Sequence, residues 1–208
     1  MKRQLILFAS LLCCLSCASQ KKEIISKSTI KLEGKNTTIR DLIEIDGFYR
    51  MREHPNCNCR MFFEDGIWVD FCFNSYVSED EIKANMFKSV YKGRKTKVSW
   101  GYNWGVYRIQ NDTIIVHRYF KGSFWEVWSL YEERYKIIDS KTMRRIYFKG
   151  LLKGNGDYDP WRVNDTFYFT PADSLPSSDC WLKEEKWIWR NESDWKAYME
   201  KIKQKKQK

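Results

Sequence analysis

Short runs of alternating apolar and polar residues, separated by turn residues, dominate the chain. In the run 67–73, Ile67, Val69 and Phe71 alternate with a second set that includes Asp70. A period of two residues is typical of a β-strand with one set of side chains on each face. The pattern therefore predicts a mainly β protein.

Turn residues divide these runs into hairpins. Asp65-Gly66 and Asn111-Asp112 are pairs that tolerate the positive φ of a tight turn. Glu132-Glu133 is interpreted as a further break between two strands. About nine or ten short strands are predicted, over 47–52, 61–63, 67–73, 104–109, 113–120, 124–131, 134–138, 143–148, 167–169 and 187–189.

Two helices interrupt the strand pattern. Ser78 followed by Glu81 forms a capping box, and an apolar stripe with helical spacing continues to Val90, which predicts an inserted helix. Apolar residues at helical spacing from Trp195 to Ile202 predict a second helix near the C-terminus. Many antiparallel strands with few helices favour a closed barrel, with a β-sandwich as the alternative.

A family resemblance adds to this interpretation. Gly47-Phe48-Tyr49 is similar to the Gly-x-Trp opening of lipocalins, with Tyr49 in place of the tryptophan. Over residues 46–190 the run of hairpins with a helix near its end resembles the lipocalin-like barrels of small exported bacterial lipoproteins. The resemblance implies a barrel that binds a small hydrophobic molecule.

The N-terminus has the pattern of an export signal. Lys2 and Arg3 precede an apolar stretch over 5–15, which is too short to span a bilayer. The junction at Cys17 resembles the lipobox of bacterial lipoproteins, in which this cysteine is acylated. A plain secretory signal cleaved after Ser19 is the alternative.

These features divide the chain into four parts: a signal peptide over 1–16, a lipidated cysteine with a flexible tether over 17–31, a barrel domain over 32–200, and a basic tail over 201–208. The expected location is the bacterial cell envelope, with the outer membrane favoured and the acyl chains as the membrane contact. Much of the net charge of +10 lies in the tail. We interpret the tail as a solvated end, and export argues against a nucleic-acid partner.

One cluster has metal-binding chemistry. His54, Cys57 and Cys59 place an imidazole and two thiols within six residues, which suits a soft metal such as copper(I) or zinc. Exported proteins also oxidise their cysteines, so disulfides compete with this hypothesis. The disulfide candidates are Cys57, Cys59, Cys72 and Cys180, and three pairings remain open.

No catalytic set emerges from the remaining residues. His117 lies in a predicted strand without a Gly-x-Ser-x-Gly elbow and is interpreted as a surface histidine. Glu132 and Glu133 are interpreted as solvated strand ends, although an acid pair with Asp139 is the glycosidase alternative. We therefore expect no enzyme and no cofactor. The hypotheses are a barrel for a small hydrophobic ligand, an envelope structural or protein-interaction module with a filled barrel, and a metal-binding protein.

Overall fold

Eight antiparallel strands form a closed barrel in a computed structural model of the protein. Each strand pairs with the next along the chain, and the last pairs with the first, so the predicted barrel is confirmed and the sandwich is not the fold. The structure describes residues 19, 21–33, 37–51, 58–72, 78, 80, 82–83, 103–121, 128–152 and 163–207. The strands are β1 (Gly47–Arg50), β2 (Asn58–Phe62), β3 (Ile67–Cys72), β4 (Asn103–Gln110), β5 (Thr113–Lys121), β6 (Trp128–Asp139), β7 (Thr142–Gly150) and β8 (Thr166–Pro171).

Helices lie mainly toward the two termini. The predicted C-terminal helix is confirmed as Glu192–Lys206. It extends into the basic tail, whose lysines at 201, 203 and 205 are exposed. Shorter helices are the 3₁₀ turns Thr37–Asp41 and Lys186–Ile188, the α-turn Trp181–Glu184, and a helical segment over 21–27. No helix in the described part of the chain is long and apolar enough to cross a bilayer.

The inserted helix is seen only at its start. Residues 82–83 are helical, and the backbone N–H of Ile82 donates to the carbonyl of Ser78 at 3.0 Å, as expected for a helix that begins after Ser78. The rest of the predicted helix, through Val90, lies outside the described residues.

The predicted hairpins are correct at two turns and wrong at a third. Gly66 has φ 86° and Asn111 has φ 54°, the left-handed conformation that these residue types favour. Glu132-Glu133 is not a turn, because β6 runs through it without a break. The run 187–189 is also not a barrel strand, since Lys186–Ile188 is a 3₁₀ turn.

The barrel has two different ends. At one end, which we call the short-turn end, the connections are 63–66, 111–112 and 140–141. Because neighbouring strands alternate in direction, the connections 51–57, 73–102, 122–127 and 151–165 all leave from the other end, the long-connection end. Long loops held on one end of a rigid barrel are a common location for binding.

The 3₁₀ turn Thr37–Asp41 caps the short-turn end. Ile39 and Ile43 pack into the interior cluster of the barrel, and the hydroxyl of Tyr49 donates to the carbonyl of Glu44 at 2.9 Å. Gly47 begins β1 where that strand meets β8, and a Cβ at this position would lie 2.1 Å from the carbonyl of Thr170. Only glycine allows the two strands to approach this closely.

Buried clusters lie on both faces of the barrel wall. The lumen cluster contains Ile39, Ile43, Ile45, Tyr49, Phe62, Trp68, Tyr107, Ile114, Val116, Tyr135, Met143 and Phe167. Phe62 of β2 lies 6.3 Å from Tyr135 of β6 between ring centroids, and these strands are opposite each other in the barrel. The outer cluster covers part of the other face with residues of the two terminal segments, including Ile24, Ile30, Leu32, Leu182 and Ile188, whereas the outer face of β6 and β7 is largely exposed.

Residues 21–33 belong to this outer cluster. Ile24 is 0% exposed, and Leu32 exchanges backbone hydrogen bonds with Ile188 and Arg190. The sequence predicts a flexible tether here because the stretch is mostly polar. In the structure, a few apolar residues are enough to pack it on the barrel. The folded domain thus includes residues before 32.

Candidate functional site

A cluster of charged side chains lies inside the barrel, which we call the arginine cluster. Five strands contribute one residue each, on the lumen face. All five are less than one tenth exposed, although charged groups are rarely buried without partners. The residues are Arg60 of β2, Asp70 of β3, Arg118 of β5, Glu133 of β6 and Arg145 of β7.

Glu133 is at the centre of the arginine cluster. Its carboxylate oxygens lie 3.1 Å from Nη1 of Arg118, 3.3 Å from Nη1 of Arg145 and 3.8 Å from Nη2 of Arg60. The hydroxyl of Tyr135 donates to the same carboxylate and accepts a hydrogen bond from Nε of Arg60 at 2.7 Å. One carboxylate therefore joins strands from both sides of the lumen.

The guanidinium groups control the ionisation of Glu133. Burial alone would raise its pKa, because desolvation penalises the charged form. Arg118, Arg60 and Arg145 outweigh burial and lower the pKa of Glu133 to about 2. Glu133 is therefore a carboxylate, not a proton donor, at neutral pH.

Aromatic rings surround the guanidinium groups. The Cζ atom of Arg60 lies 4.0 Å from the ring centroid of Phe167. Arg118 lies 4.9 Å from the ring of Tyr131 and 5.4 Å from that of Phe148, and these two rings stack with centroids 5.3 Å apart. Cation–π contacts of this kind stabilise desolvated cations.

Several buried polar atoms in the lumen have no hydrogen-bond partner among the described residues, among them Nε1 of Trp68, Oδ1 of Asp70, Nε of Arg118 and Oε1 of Glu133. Nη1 of Arg118 lies 3.2 Å from Oδ2 of Asp70 and 3.1 Å from Oε1 of Glu133, so the unpaired atoms of these three residues are close together. Buried polar atoms normally have partners, which makes this the place inside the barrel where a water or a ligand fits the chemistry.

Among the described residues, the charges around Arg118 are balanced. Arg145 also pairs with Asp165, which begins the approach to β8. Three guanidinium groups therefore face three carboxylates: Asp70, Glu133 and Asp165. Within this part of the chain, a further full charge of either sign would have no counter-ion.

A depression with a volume of about 310 Å³ lies at the short-turn end. Its lining includes Arg40, Asp46, Glu64 and Asp65. These groups already pair with each other or with a neighbour, since Arg40 contacts Asp46 and Glu64, and Lys183 contacts Asp65 at 2.9 Å. The depression therefore offers less unused polar chemistry than the arginine cluster.

Most residues singled out from the sequence are not gathered at one site. Cys17, His54 and Cys57 lie outside the described residues, and so does the side chain of Cys72. Cys59 is buried in the outer cluster, away from the lumen. The metal hypothesis and the disulfide pairings therefore stay predictions. Within the described residues no group of three potential metal ligands is found.

Cys180 is a free cysteine in the structure. It packs against the outer cluster. Burial raises the pKa of its thiol to about 12, so the thiol is protonated and weakly reactive at neutral pH.

His117 and Glu133 correct the sequence interpretation. His117 is buried instead of exposed, and its Nε2 lies 3.4 Å from Oε2 of Glu132. Glu133 is not a solvated strand end, because its side chain enters the lumen. One signal was available: Arg60, Asp70 and Glu133 each share a strand face with large aromatic residues, which is unusual for a solvated face.

Comparison with protein-family models, with curated proteins and with solved structures found no match for this chain. The class of protein that the structure defines is a closed eight-stranded antiparallel barrel with a charged cluster in its lumen.

Proposed function

We propose that the protein is a lipid-anchored lipoprotein of the bacterial envelope whose barrel binds a small amphipathic molecule. The anchor rests on the signal-peptide pattern and on Cys17 after Ser16. The ligand proposal rests on one observation: the buried Nε–H of Arg118 has no acceptor among the described residues. No catalytic role is proposed.

The polar atoms around Arg118 define the head group of the ligand. Nε of Arg118 and Nε1 of Trp68 need an acceptor, whereas Oδ1 of Asp70 needs a donor. A hydroxyl or an amide can donate and accept at once. A carboxylate would face Asp70 without a spare cation, because the charges are already balanced, so we propose an uncharged head group.

Aromatic residues toward the long-connection end suit the apolar part of the ligand. Tyr131 and Phe148 stack beside Arg118 near the ends of β6 and β7. Phe120, two residues beyond Arg118 on the same face of β5, is 42% exposed, which is high for a phenylalanine. Ligand sites of this kind are lined mainly by apolar and aromatic groups with a few polar ones.

Mass spectrometry of the protein purified from its own membranes tests this proposal. We expect a native mass that corresponds to a chain beginning at acylated Cys17, with an adduct that is lost on denaturation. Arg118→Met should remove the adduct, because Met keeps the bulk of the side chain and lacks the N–H donors. Arg144→Met is the matched control, since Arg144 is exposed on the neighbouring part of the barrel.

The outcomes separate the two parts of the proposal. An acylated mass without any adduct contradicts the ligand and leaves the anchor. An adduct retained in Arg118→Met places the ligand elsewhere. Thermal unfolding of each variant shows whether a lost adduct reflects the site or a loss of the fold.

A filled barrel that serves as an envelope interaction module is the second candidate. The observation in its favour is the dense packing of the short-turn half, where the ring of Phe62 lies 6.0 Å from that of Tyr49 and 5.5 Å from that of Tyr107 between centroids. Cross-linking in intact cells that recovers a stoichiometric protein partner, together with the absence of an adduct, would favour this function.

A further inference from the structure

Two rows of lumen-facing residues lie side by side near the long-connection end of the barrel. In the first row, Trp68 of β3 pairs with Gly105 of β4, which pairs in turn with Arg118 of β5. In the second row, closer to the long-connection end, Asp70 pairs with Asn103. Side chains directly opposite each other on paired strands begin about 5 Å apart, so the polar groups of the two rows are neighbours.

Gly105 allows the close packing of the first row. A Cβ at this position would lie 2.9 Å from Cε3 of Trp68 and 2.8 Å from the carbonyl of His117. Glycine therefore lets the indole ring lie against β4. It also adds no side chain to the row between Trp68 and Arg118.

The unpartnered atoms at this place include donors and acceptors. Within the described part of the chain, Nε1 of Trp68 and Nε of Arg118 donate to no acceptor. Oδ1 of Asp70 and Oδ1 of Asn103 accept no hydrogen bond from the same residues, and Oε1 of Glu133 contacts Arg118 without forming one. The three acceptors belong to β3, β4 and β6. An occupant that satisfies them must therefore supply hydrogens at several positions and also accept hydrogen bonds.

Most simple head groups do not match this set. A carboxylate has no hydrogen to donate, and an ammonium group accepts nothing and adds a positive charge beside the guanidinium groups. A single hydroxyl has one hydrogen for three acceptors. A primary amide has two hydrogens, but both are on one nitrogen, whereas the acceptors lie on three strands. Several hydroxyls on neighbouring carbons both donate and accept at separate positions.

We propose that the ligand carries a polyol head group, of the glycerol or sugar kind, with its hydroxyls among Asp70, Asn103 and Arg118. This inference rests on the proposed function, because it names the ligand class of the same site. Asn103 is the first residue of β4 and is only partly buried. The head group therefore lies just beneath the long-connection end, next to the aromatic residues that suit the apolar part.

The experiment compares ligands that share one chain length and differ in the head group. The full chain is held in phosphatidylcholine nanodiscs, and native mass spectrometry measures the affinity for 1-monolauroylglycerol, dodecyl glucoside, dodecanol, lauramide and lauric acid. We expect at least one of the two polyols to bind about tenfold or more tightly than the other three, because it satisfies more of the buried polar atoms. The stronger polyol distinguishes a glycerol from a sugar head group.

One variant removes an acceptor without disturbing the buried charges. Asn103→Leu keeps a side chain of similar size and should weaken binding of the preferred polyol about fivefold. The same variant should leave the affinity for dodecanol unchanged. Gln110→Leu is the matched control, because Gln110 is exposed at the opposite end of the same strand, and it should preserve the preference for the polyol.

The outcomes distinguish failure of this inference from failure of the proposed function. Dodecanol or lauramide binding as tightly as both polyols would overturn the polyol class and leave a ligand in the barrel. A preference that survives Asn103→Leu would also overturn the placement of the head group. If no member of the series binds, the proposed function itself is contradicted, and water is then the partner of the unpaired atoms.

Discussion

The lumen face and the outer face of the barrel wall are built from the same strands but buried by different means. On β3, Val69 contributes to the apolar outer cluster, whereas Asp70, the next residue, contributes a charge to the lumen. Burial of apolar side chains on the outer face stabilises the fold directly. Burial of charges in the lumen carries a desolvation cost that pairing only offsets.

Stability alone does not require charges in the lumen, since well-packed hydrophobic residues often replace buried ion pairs without loss of stability. The short-turn end, capped by Ile39 and Ile43, is filled with apolar residues of this kind. The arginine cluster is not, and this contrast is the reason to test the binding role that we propose for the lumen.

Of the changes that separate the two faces, removal of the Glu133 carboxylate should have the largest effect on the free energy of unfolding. Glu133→Gln leaves three buried guanidinium groups with one fewer counter-ion, and we expect unfolding to become easier by ~3–5 kcal/mol. Urea denaturation measures the change. Glu132→Gln is the matched control on the other face of the same strand, where Glu132 contacts the buried His117 and the half-exposed Arg134. It should cost clearly less, because the glutamine oxygen still accepts a hydrogen bond and no set of buried guanidinium groups loses its counter-ion. Similar losses in the two variants would contradict the central place of Glu133.

The sequence predicts the strands and turns of the barrel better than the charged cluster in its lumen. Alternation in 67–73 and positive-φ residues at Gly66 and Asn111 are local signals, and the hairpins that they predict are present. Closure of the barrel by β1 and β8 joins Gly47 to Pro171, a contact between distant parts of the chain that no local pattern encodes.

Glu133 shows why the site itself was missed. A glutamate pair inside a polar stretch has the composition of a turn, and its burial depends on Arg60, Arg118 and Arg145, which are far apart in sequence. Likewise, residues 21–31 have a polar composition typical of a linker. Only Ile24 and Ile30 carry their packing.

On the outer face, stability should depend on the volume of buried apolar side chains and not on charge. Ile24→Ala removes a fully buried side chain and should destabilise the domain by ~2–5 kcal/mol. Ile25→Ala, at the next position and 38% exposed, should change stability by less than about 0.5 kcal/mol. Thermal and urea unfolding of the two variants measure the difference. An equal, small effect at both positions would mean that the segment 21–27 does not pack on the barrel.

Lowering the pH tests the same contrast between the lumen and the outer face, and of the three predictions it has the smallest expected effect on stability. The pKa of Glu133 is lowered from 4.5 to about 2 in the folded protein, so its charged form stabilises the fold above pH 4.5. That contribution is lost as the pH falls toward 2, because the unfolded chain takes up the proton first. At pH 4 the linkage relation gives a loss of only about 1 kcal/mol.

The measurement compares urea unfolding of the wild type and Glu133→Gln from pH 7 down to pH 2.5. The difference in unfolding free energy between them should stay constant from pH 7 to 5 and shrink below pH 4.5, since the glutamine side chain of the variant cannot titrate. Ile24→Ala should show no such convergence with the wild type, because apolar burial on the outer face involves no proton. A difference that instead grows as the pH falls from about 6 toward 4.5 would place the folded pKa of Glu133 above its ordinary value, and the three guanidinium groups would then not hold it ionised.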